Sequence, residues 1–230
     1  MLRELSLNFN RPEPVNEEIQ WTGGVLVTET TLDGIITKVD ESFSEMSEYS
    51  PFEIVGKSHS IVRHPDMPKL IYKILWDTIS SGSTFVGVIK NMAKSGKYYW
   101  SAVEITKGKD AFGNERYIAK RKNISRDVIK DTVEPLYESL LKLEKVGSDA
   151  LSTRYFKNYL AKFGKDYMDF MVDILGDDAV QKEQYAKHEE VAQTPTSLDM
   201  LNVEVSDTIF HVEKEEKKVE RKTFFEKLFS

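Results

Sequence analysis

The sequence predicts an α+β fold, in which a five-stranded antiparallel sheet with short helices on one face is followed by a helical C-terminal region. Short runs of β-branched residues lie near both ends of residues 21–125, with turn-forming residues between them. The segment between these runs has apolar residues at helical spacing. A sheet built from both ends of a segment, crossed by helices on one face, is a two-layer solution for about 100 residues.

The N-terminal part predicts an arm followed by a hairpin. Residues 1–20 are rich in asparagine and proline, which favour turns and extended chain over a packed element. Residues 24–31 and 34–40 are β-branched runs, and Asp33-Gly34 between them is a hairpin signal. We therefore expect two antiparallel strands after the arm.

Residues 40–82 predict short helices and then a longer one. Pro51, Gly56 and Pro65 break the first part into short pieces. The longer helix is expected from Met67 to about Ser81, because Pro68 suits a first turn and apolar residues recur at helical spacing after it. Three strands are then expected at residues 84–94, 97–108 and 115–125, joined by turns rich in Gly, Ser, Asp and Asn.

The second half predicts helices. Apolar residues at alternating four- and three-residue intervals form a heptad seam, which is long enough for a short helix. That helix would dimerise, dock on a partner or cover the sheet. Pro135 is expected near the first turn of a new helix. The seam consists of Ile129, Val133, Leu136, Leu140 and Leu143. Residues 150–175 predict one amphipathic helix after a stop at Gly147. The whole helical region is placed at residues 126–176.

The last 54 residues predict a linker and a tail. Residues 177–212 are polar and acidic, and residues 213–230 are charged and end in an aromatic cluster. That tail suits a helix that lies on a membrane surface or in a partner's groove, or one that packs back on the helix predicted at 150–175. Any membrane contact is therefore expected to be peripheral.

Composition excludes several classes of function. The net charge of −6 argues against nucleic-acid binding, and the lack of cysteine excludes disulfides and thiol chemistry. No apolar run is long enough to cross a bilayer and the N-terminus lacks a signal-peptide layout, so we expect a cytoplasmic protein. Nucleophile elbows, phosphate-binding glycine loops and zinc-protease motifs are all missing, so no catalytic residues and no enzyme activity are predicted.

One stretch carries chemical information. Arg63, His64 and Asp66 lie just before a helix start, where backbone amides and the helix dipole favour an anion. Trp76, expected to be buried on that helix, offers a flat aromatic surface, and Asn91 offers a carboxamide that donates and accepts hydrogen bonds. These residues can hold a flavin, or they are an ordinary loop ion pair and core side chains. A metal site at His59 and His64 is not predicted, because a third ligand is missing.

Residues 34–121 resemble the PAS domain of bacterial aerotaxis receptors and their soluble relatives. The resemblance rests on the ordered run VRHPDMP, then Trp76, then a G-x-x-KN strand ending at Asn91, then a YYW strand ending at Trp100. It covers somewhat under half of the chain. It implies a PAS fold at residues 21–125 that binds FAD without a covalent bond.

The resemblance also implies the binding residues. Arg63, His64 and Asp66 would line the cofactor entrance, Trp76 would pack against the flavin or adenine, and Asn91 would bond the polar edge of the ring. The remaining two binding positions depart from the family: Asp40 stands where Asn is usual, and Tyr72 stands where Phe is expected. A carboxylate at position 40 would oppose a negatively charged reduced flavin.

The expected function is a bacterial cytoplasmic sensor for aerotaxis or energy taxis. Through bound FAD it would report redox or energy state to a membrane chemotaxis-type receptor or another signalling protein, and it would form a homodimer. The alternative is a PAS module without cofactor that serves dimerisation or protein docking. Flavin colour in the purified protein separates the two.

Overall fold

A computed structural model describes residues 11–21, 24–147 and 149–176. The chain divides into two compact units. The first unit contains residues Met1–Met67 and Thr78–Asn123, and the second contains Pro68–Asp77 and Ile124–Ser230. The predicted linker and tail at 177–230 lie outside the described residues.

The first unit contains a five-stranded antiparallel sheet, which confirms the predicted fold class. Its strands in chain order are β1 Leu26–Thr30, β2 Ile36–Val39, β3 Phe85–Met92, β4 Tyr98–Lys109 and β5 Glu115–Lys122. Their order across the sheet is β2-β1-β5-β4-β3. The first hairpin and the three later strands therefore meet where β1 pairs with β5.

Short helices cover one face of this sheet. They are α1 Glu41–Ser47, α2 Pro51–Ile54 and a 3-10 turn at His59–Val62. Apolar side chains from these helices and from β1, β2 and β4 form one core cluster. Its buried members are Leu26, Ile36, Phe43, Met46, Tyr49, Ile54, Val62 and Tyr99. The face of the sheet that carries Leu26 and Tyr99 is called the helix-side face below.

Loop residues pair with both edges of the sheet. At the β2 edge, Ile36 N donates to Lys57 O at 2.8 Å, and Gly56 N donates to Ile36 O at 2.8 Å. At the β3 edge, Arg63 and Asn91 form an antiparallel bridge. Backbone groups at Ile36 of β2 and at Asn91 of β3 are therefore already bonded to the chain itself.

The described part of the predicted arm is extended and paired with the β3–β4 turn. Val15 N donates to Gly96 O at 2.9 Å, and Ile19 N donates to Tyr98 O at 2.8 Å. Ile19 and Trp21 also pack against the core cluster. The arm is thus part of the first unit, which asparagine and proline content alone did not indicate.

Gly96→Ala is expected to detach the arm. Gly96 has a φ of 88°, and a methyl group there would lie 2.1 Å from the carbonyl oxygen of Glu13. We expect a loss of about 1–3 kcal/mol in unfolding free energy and faster amide exchange at Ile19. Gly113→Ala is the matched control, because Gly113 has a φ of 82° and open space around it. Equal effects of the two variants on Ile19 exchange would contradict this role for Gly96.

Helix α3, Lys69–Ser80, confirms the predicted longer helix, and its part up to Asp77 belongs to the second unit. The other helices of that unit are α4 Arg126–Val128, α5 Glu134–Val146, α6 Asp149–Lys162 and α7 Tyr167–Leu175, with a π-helical segment at Ile129–Val133. In the described part of the chain, no helix is long and apolar enough to cross a membrane.

The prediction of one helix at 150–175 is wrong. Helix α6 ends at Lys162, and Gly164 has a φ of 63°, a left-handed conformation that ends helices. Asp166 then starts α7, because its Oδ1 accepts a hydrogen bond from Asp169 N at 2.8 Å. Heptad spacing continues through this break, so the apolar pattern alone did not reveal it.

Pro135 lies in the first turn of α5, as predicted. The helical conformation continues from residue 129 through Pro135. The π-helical segment widens the turn before the proline, and Glu134 N donates a hydrogen bond to Ile129 O. All five residues of the predicted seam, Ile129, Val133, Leu136, Leu140 and Leu143, are buried within the single chain. The seam is therefore not an exposed surface through which this chain could dimerise or dock.

Candidate functional site

Strand register places several polar side chains on the helix-side face of the sheet. Arg121 of β5 lies directly opposite Leu26 of β1, and Asn91 of β3 lies opposite Tyr99 of β4. Directly paired residues of antiparallel strands point to the same face. Arg121 and Asn91 therefore face the side on which α1, α2 and the 3-10 turn pack.

Arg121 is buried and bonded to Thr28 and His59. It is only 3% exposed, its Nη1 donates to Thr28 Oγ1 at 3.1 Å, and its Nη2 lies 2.8 Å from His59 Nε2. A guanidinium has donors only, so His59 Nε2 must be the acceptor and the imidazole is neutral. The guanidinium carbon also lies 5.4 Å from the centre of the Phe43 ring. The result is a fixed positive charge inside the first unit.

Burial and the neighbouring Arg121 charge lower the pKa of His59 to about 3. Burial, and secondarily Lys90, lower the pKa of His64 to about 4, against the opposing effect of Asp66. In the unfolded chain both imidazoles regain their ordinary pKa near 6.5. Below that pH the unfolded state binds protons that the folded state does not.

The free energy of unfolding is therefore expected to fall as pH decreases from about 6.5 toward 4. Each histidine contributes a slope of at most about 1.4 kcal/mol per pH unit in this window. His59→Gln keeps an acceptor for Arg121 but cannot titrate, so its slope should be shallower than that of the native chain. Urea unfolding at a series of pH values measures this. An unchanged slope in His59→Gln would show that folding does not lower the pKa of His59.

Tyr99 supplies a buried hydroxyl to the same face. The side chain is fully buried, and among the described residues its hydroxyl has no hydrogen-bond partner. Burial raises the pKa of Tyr99, and the charge of Arg121 acts in the opposite direction. A buried hydroxyl without a bond costs free energy, so this atom suits a ligand that donates or accepts there.

Asn91 and Ser101 form a second polar pair. Asn91 is 3% exposed, and its Nδ2 donates to Ser101 Oγ at 3.2 Å. From the register, Asn91 and Arg121 are separated by roughly 13 Å along the strands and roughly 10 Å across them. Ser101 and Tyr99 lie on the strand between the two. The helix-side face thus carries polar groups at two corners of an otherwise apolar surface.

The loop that contains the VRHPDMP run crosses the β3 edge. Arg63 bridges Asn91 through the backbone, and Met67 Sδ accepts a hydrogen bond from Lys90 N at 3.2 Å. Both contacts hold the loop beside β3. Of the predicted binding residues, Arg63 and Asn91 are thus brought together, by their main chains.

The side chains of His64 and Asp66 contact the opposite face of the sheet. Lys90 and Tyr98 alternate with Asn91 and Tyr99, so they point away from the helix side. Asp66 Oδ2 lies 3.3 Å from Lys90 Nζ, and the buried His64 ring meets Tyr98 edge-on at 5.9 Å. Lys90 Nζ also lies 4.2 Å from the centre of the Tyr98 ring. The structure therefore does not bring these two side chains to Asn91.

Asp40 has a structural role at the start of α1. Its Oδ1 accepts a hydrogen bond from Phe43 N at 2.7 Å, which caps the helix, and its Oδ2 accepts one from Val27 N at 2.8 Å. Both carboxylate oxygens are thus bonded to the backbone, and they tie β1 to α1.

Tyr72 and Trp76 lie on α3, in the part that belongs to the second unit. Within that unit, Tyr72 and burial together raise the pKa of Tyr137, and burial is the larger cause. Trp76 is 40% exposed, so the expectation of a buried ring is wrong.

Three side chains of the helix-side face were not found from the sequence: Arg121, Thr28 and Tyr99. For Arg121, strand alternation indicates an inward side chain. Tyr117 and Ala119, at two-residue intervals before it on β5, are both buried. His59 was considered only as a metal ligand. Among the described residues, no group of His, Asp or Glu side chains could hold a metal ion.

Comparison with known proteins supports the predicted family. The family model described as PAS fold matches residues 36–120. The aerotaxis receptor of Escherichia coli (strain K12) is 35% identical over 118 residues, which are 50% of this chain and 22% of that protein. Phototropin-2 of Oryza sativa subsp. japonica is 28% identical over 98 residues, which are 42% of this chain and 11% of that protein. This chain thus matches less than a quarter of the length of either relative.

A solved structure is similar at lower identity. The light state structure of the blue-light photoreceptor Aureochrome1 LOV has a TM-score of 0.42 and 19% identity. The similarity covers 48% of this chain and 88% of that structure.

Proposed function

Because this chain carries a PAS domain over residues 36–120, we propose that it is a sensor that holds FAD against the helix-side face of its sheet. The observation that carries the proposal is the buried Tyr99 hydroxyl, which lacks a hydrogen-bond partner among the described residues. Arg121, His59 and Thr28 form a polar cluster on the same side. Bound flavin would supply reversible redox chemistry, and the chain would report its state without catalysing a reaction.

The residues present fit a flavin. An isoalloxazine ring needs an apolar slot with a small number of placed polar groups, and this face has apolar surroundings with polar groups at two corners. Asn91 would bond the polar edge of the ring, and Tyr99 would donate or accept at another edge atom. Arg121 would favour any negative charge that the ligand gains on reduction, because the guanidinium stays charged at every relevant pH.

Arg63 is the remaining predicted residue near this face, because its main chain bridges Asn91 at the β3 edge. We retain it as a residue at the cofactor entrance. His64, Asp66 and Lys90 would then act on the cofactor only by holding the loop beside β3. Contact of Trp76 and Tyr72 with the cofactor stays a prediction.

The partner we propose is a membrane chemotaxis-type receptor or another signalling protein. Half of this chain matches 22% of the length of a protein named aerotaxis receptor. That name supports a role in taxis. Signalling in trans requires that affinity for the partner depends on the flavin state. Co-purification from native extract with flavin oxidised and then reduced tests this, and identical receptor recovery in both states would exclude redox control.

The cofactor is tested by purifying the full chain with added FAD and recording its absorbance spectrum. Tyr99→Phe removes only the hydroxyl, so FAD affinity should fall about five- to tenfold, as expected for one lost hydrogen bond. Tyr137→Phe is the matched control, because it removes another buried tyrosine hydroxyl, in the second unit. A folded chain that binds no FAD would favour the docking module without cofactor. Equal affinities for both variants would place the flavin elsewhere.

A further inference from the structure

The N-terminus of helix α3 is hydrogen-bonded to a carboxylate from a distant part of the chain. Glu144 of α5 accepts hydrogen bonds from the first-turn amides of α3, with Oε2 to Lys69 N at 2.9 Å and Oε1 to Leu70 N at 3.0 Å. All three residues belong to the second unit. Each oxygen of one side chain thus satisfies one donor.

The start of α3 needs such a partner. The first amides of a helix have no acceptor within the helix, and a capping side chain just before it normally supplies one. Here Pro68 precedes Lys69, and a proline side chain has no acceptor. The carboxylate charge also complements the positive end of the helix dipole. Glu144 therefore does for α3 what Asp40 does for α1, but from a helix far away in sequence.

Helices α3 and α5, which the Glu144 hydrogen bonds connect, each follow a segment of functional interest. Helix α3 directly follows the loop of Arg63, His64 and Asp66, and it carries Trp76. Helix α5 follows the π-helical segment Ile129–Val133, and π segments inside helices often occur at functional sites. A change at the start of α3 therefore has a direct bonded route to α5.

We propose that Glu144 is a latch that couples the order of the first turn of α3 to the order of α5. When the first turn of α3 moves, Glu144 loses its two donors and α5 loses one of the contacts that order its last turns. Coupling of this kind is reciprocal, so loosening α5 also loosens the start of α3. The stimulus that moves α3 rests on the proposed flavin, whereas the latch itself does not.

The latch is tested by amide exchange on the full chain, resolved by residue with NMR. Glu144→Gln keeps one acceptor and removes the charge, and Glu144→Ala removes both acceptors. The matched control is Glu138→Gln, since Glu138 is an exposed residue of the same helix, 3.9 Å from Lys142. Glu144→Ala should speed exchange at Lys69 and Leu70 by about ten- to a hundredfold, and Glu144→Gln by less. Glu138→Gln should leave these amides unchanged.

Reciprocity is tested from the other side with Lys69→Pro. Proline is tolerated in a first turn, and it deletes one donor without touching Glu144. This variant should speed exchange in the last turns of α5 severalfold, and Glu144→Ala should do the same. Slow α5 exchange in both variants would overturn the coupling and leave Glu144 as a local cap of α3.

A final comparison adds FAD and follows α5 exchange before and after reduction. Reduction should change α5 exchange in the native chain and change it less in Glu144→Gln. Flavin absorbance, read on the same samples, shows separately whether FAD is bound. If FAD binds and reduction changes α5 equally in both proteins, the signal does not pass through Glu144. If FAD does not bind, the proposed function fails, and the exchange data on the two helices still decide the latch.

Discussion

Arg121→Met is expected to lower FAD affinity about ten- to a hundredfold and to cost about 1–3 kcal/mol of unfolding free energy. Methionine has a similar length, so the main losses are the charge and the hydrogen bonds to Thr28 and His59. The buried Thr28 hydroxyl and the partly buried His59 ring would both lose the guanidinium donor. FAD titration and urea unfolding of the full chain measure the two effects.

Arg121→Lys is the control for this variant, and the pKa of His59 is a second measurement that does not depend on FAD. Arg121→Lys keeps the positive charge but cannot bond both partners in the same fork geometry, so its FAD affinity should be intermediate. The pKa of His59 should rise in Arg121→Met, because the Arg121 charge is one of the causes that lower it. NMR titration detects that rise. Unchanged FAD affinity with a raised His59 pKa would mean that Arg121 serves the fold and not the flavin.

Asp40→Ala is expected to cost about 2–4 kcal/mol of unfolding free energy. The variant removes the cap of α1 and the bond to Val27, and each is a hydrogen bond from a backbone amide to a charged group. Asp40→Asn keeps the capping oxygen and loses the second acceptor, so it should cost about half as much. Urea unfolding of the three proteins at one pH gives these values.

The same pair of variants tests whether Asp40 contacts the cofactor. Since both oxygens bond the backbone, we expect FAD affinity in Asp40→Asn to stay within about twofold of the native value. A large change in affinity together with native stability would instead restore the cofactor contact that the family resemblance implied for position 40.

Sequence patterns predicted the sheet and the order of its elements because their causes are local. Alternating β-branched residues and glycine-containing turns mark the strands, and Pro68 marks the start of α3. The break at Gly164 was missed because the apolar spacing continues across it. A single glycine within an amphipathic pattern does not show whether it takes a left-handed conformation or stays helical.

The candidate site was predicted only in part, for reasons of register. Asn91 and Arg63, two of the residues that the family resemblance implied for the site, are joined by a backbone bridge, and their contact with a cofactor stays a prediction. His64 and Asp66 were expected beside them, but their side chains bond Lys90 and Tyr98, and strand alternation turns these to the other face. Arg121 was missed because charged residues are rarely buried, so an arginine in a sequence is ordinarily predicted to lie on the surface.

The paired edges of the sheet limit how another molecule can bind this domain. A peptide that binds by strand addition needs a row of open amide and carbonyl groups on an outermost strand. Such a peptide would first have to displace residues 56–57 from Ile36, or the segment around Arg63 from Asn91. At these two positions a partner is therefore recognised through side chains unless these segments move, so a point substitution there can change the choice of partner without rebuilding the sheet.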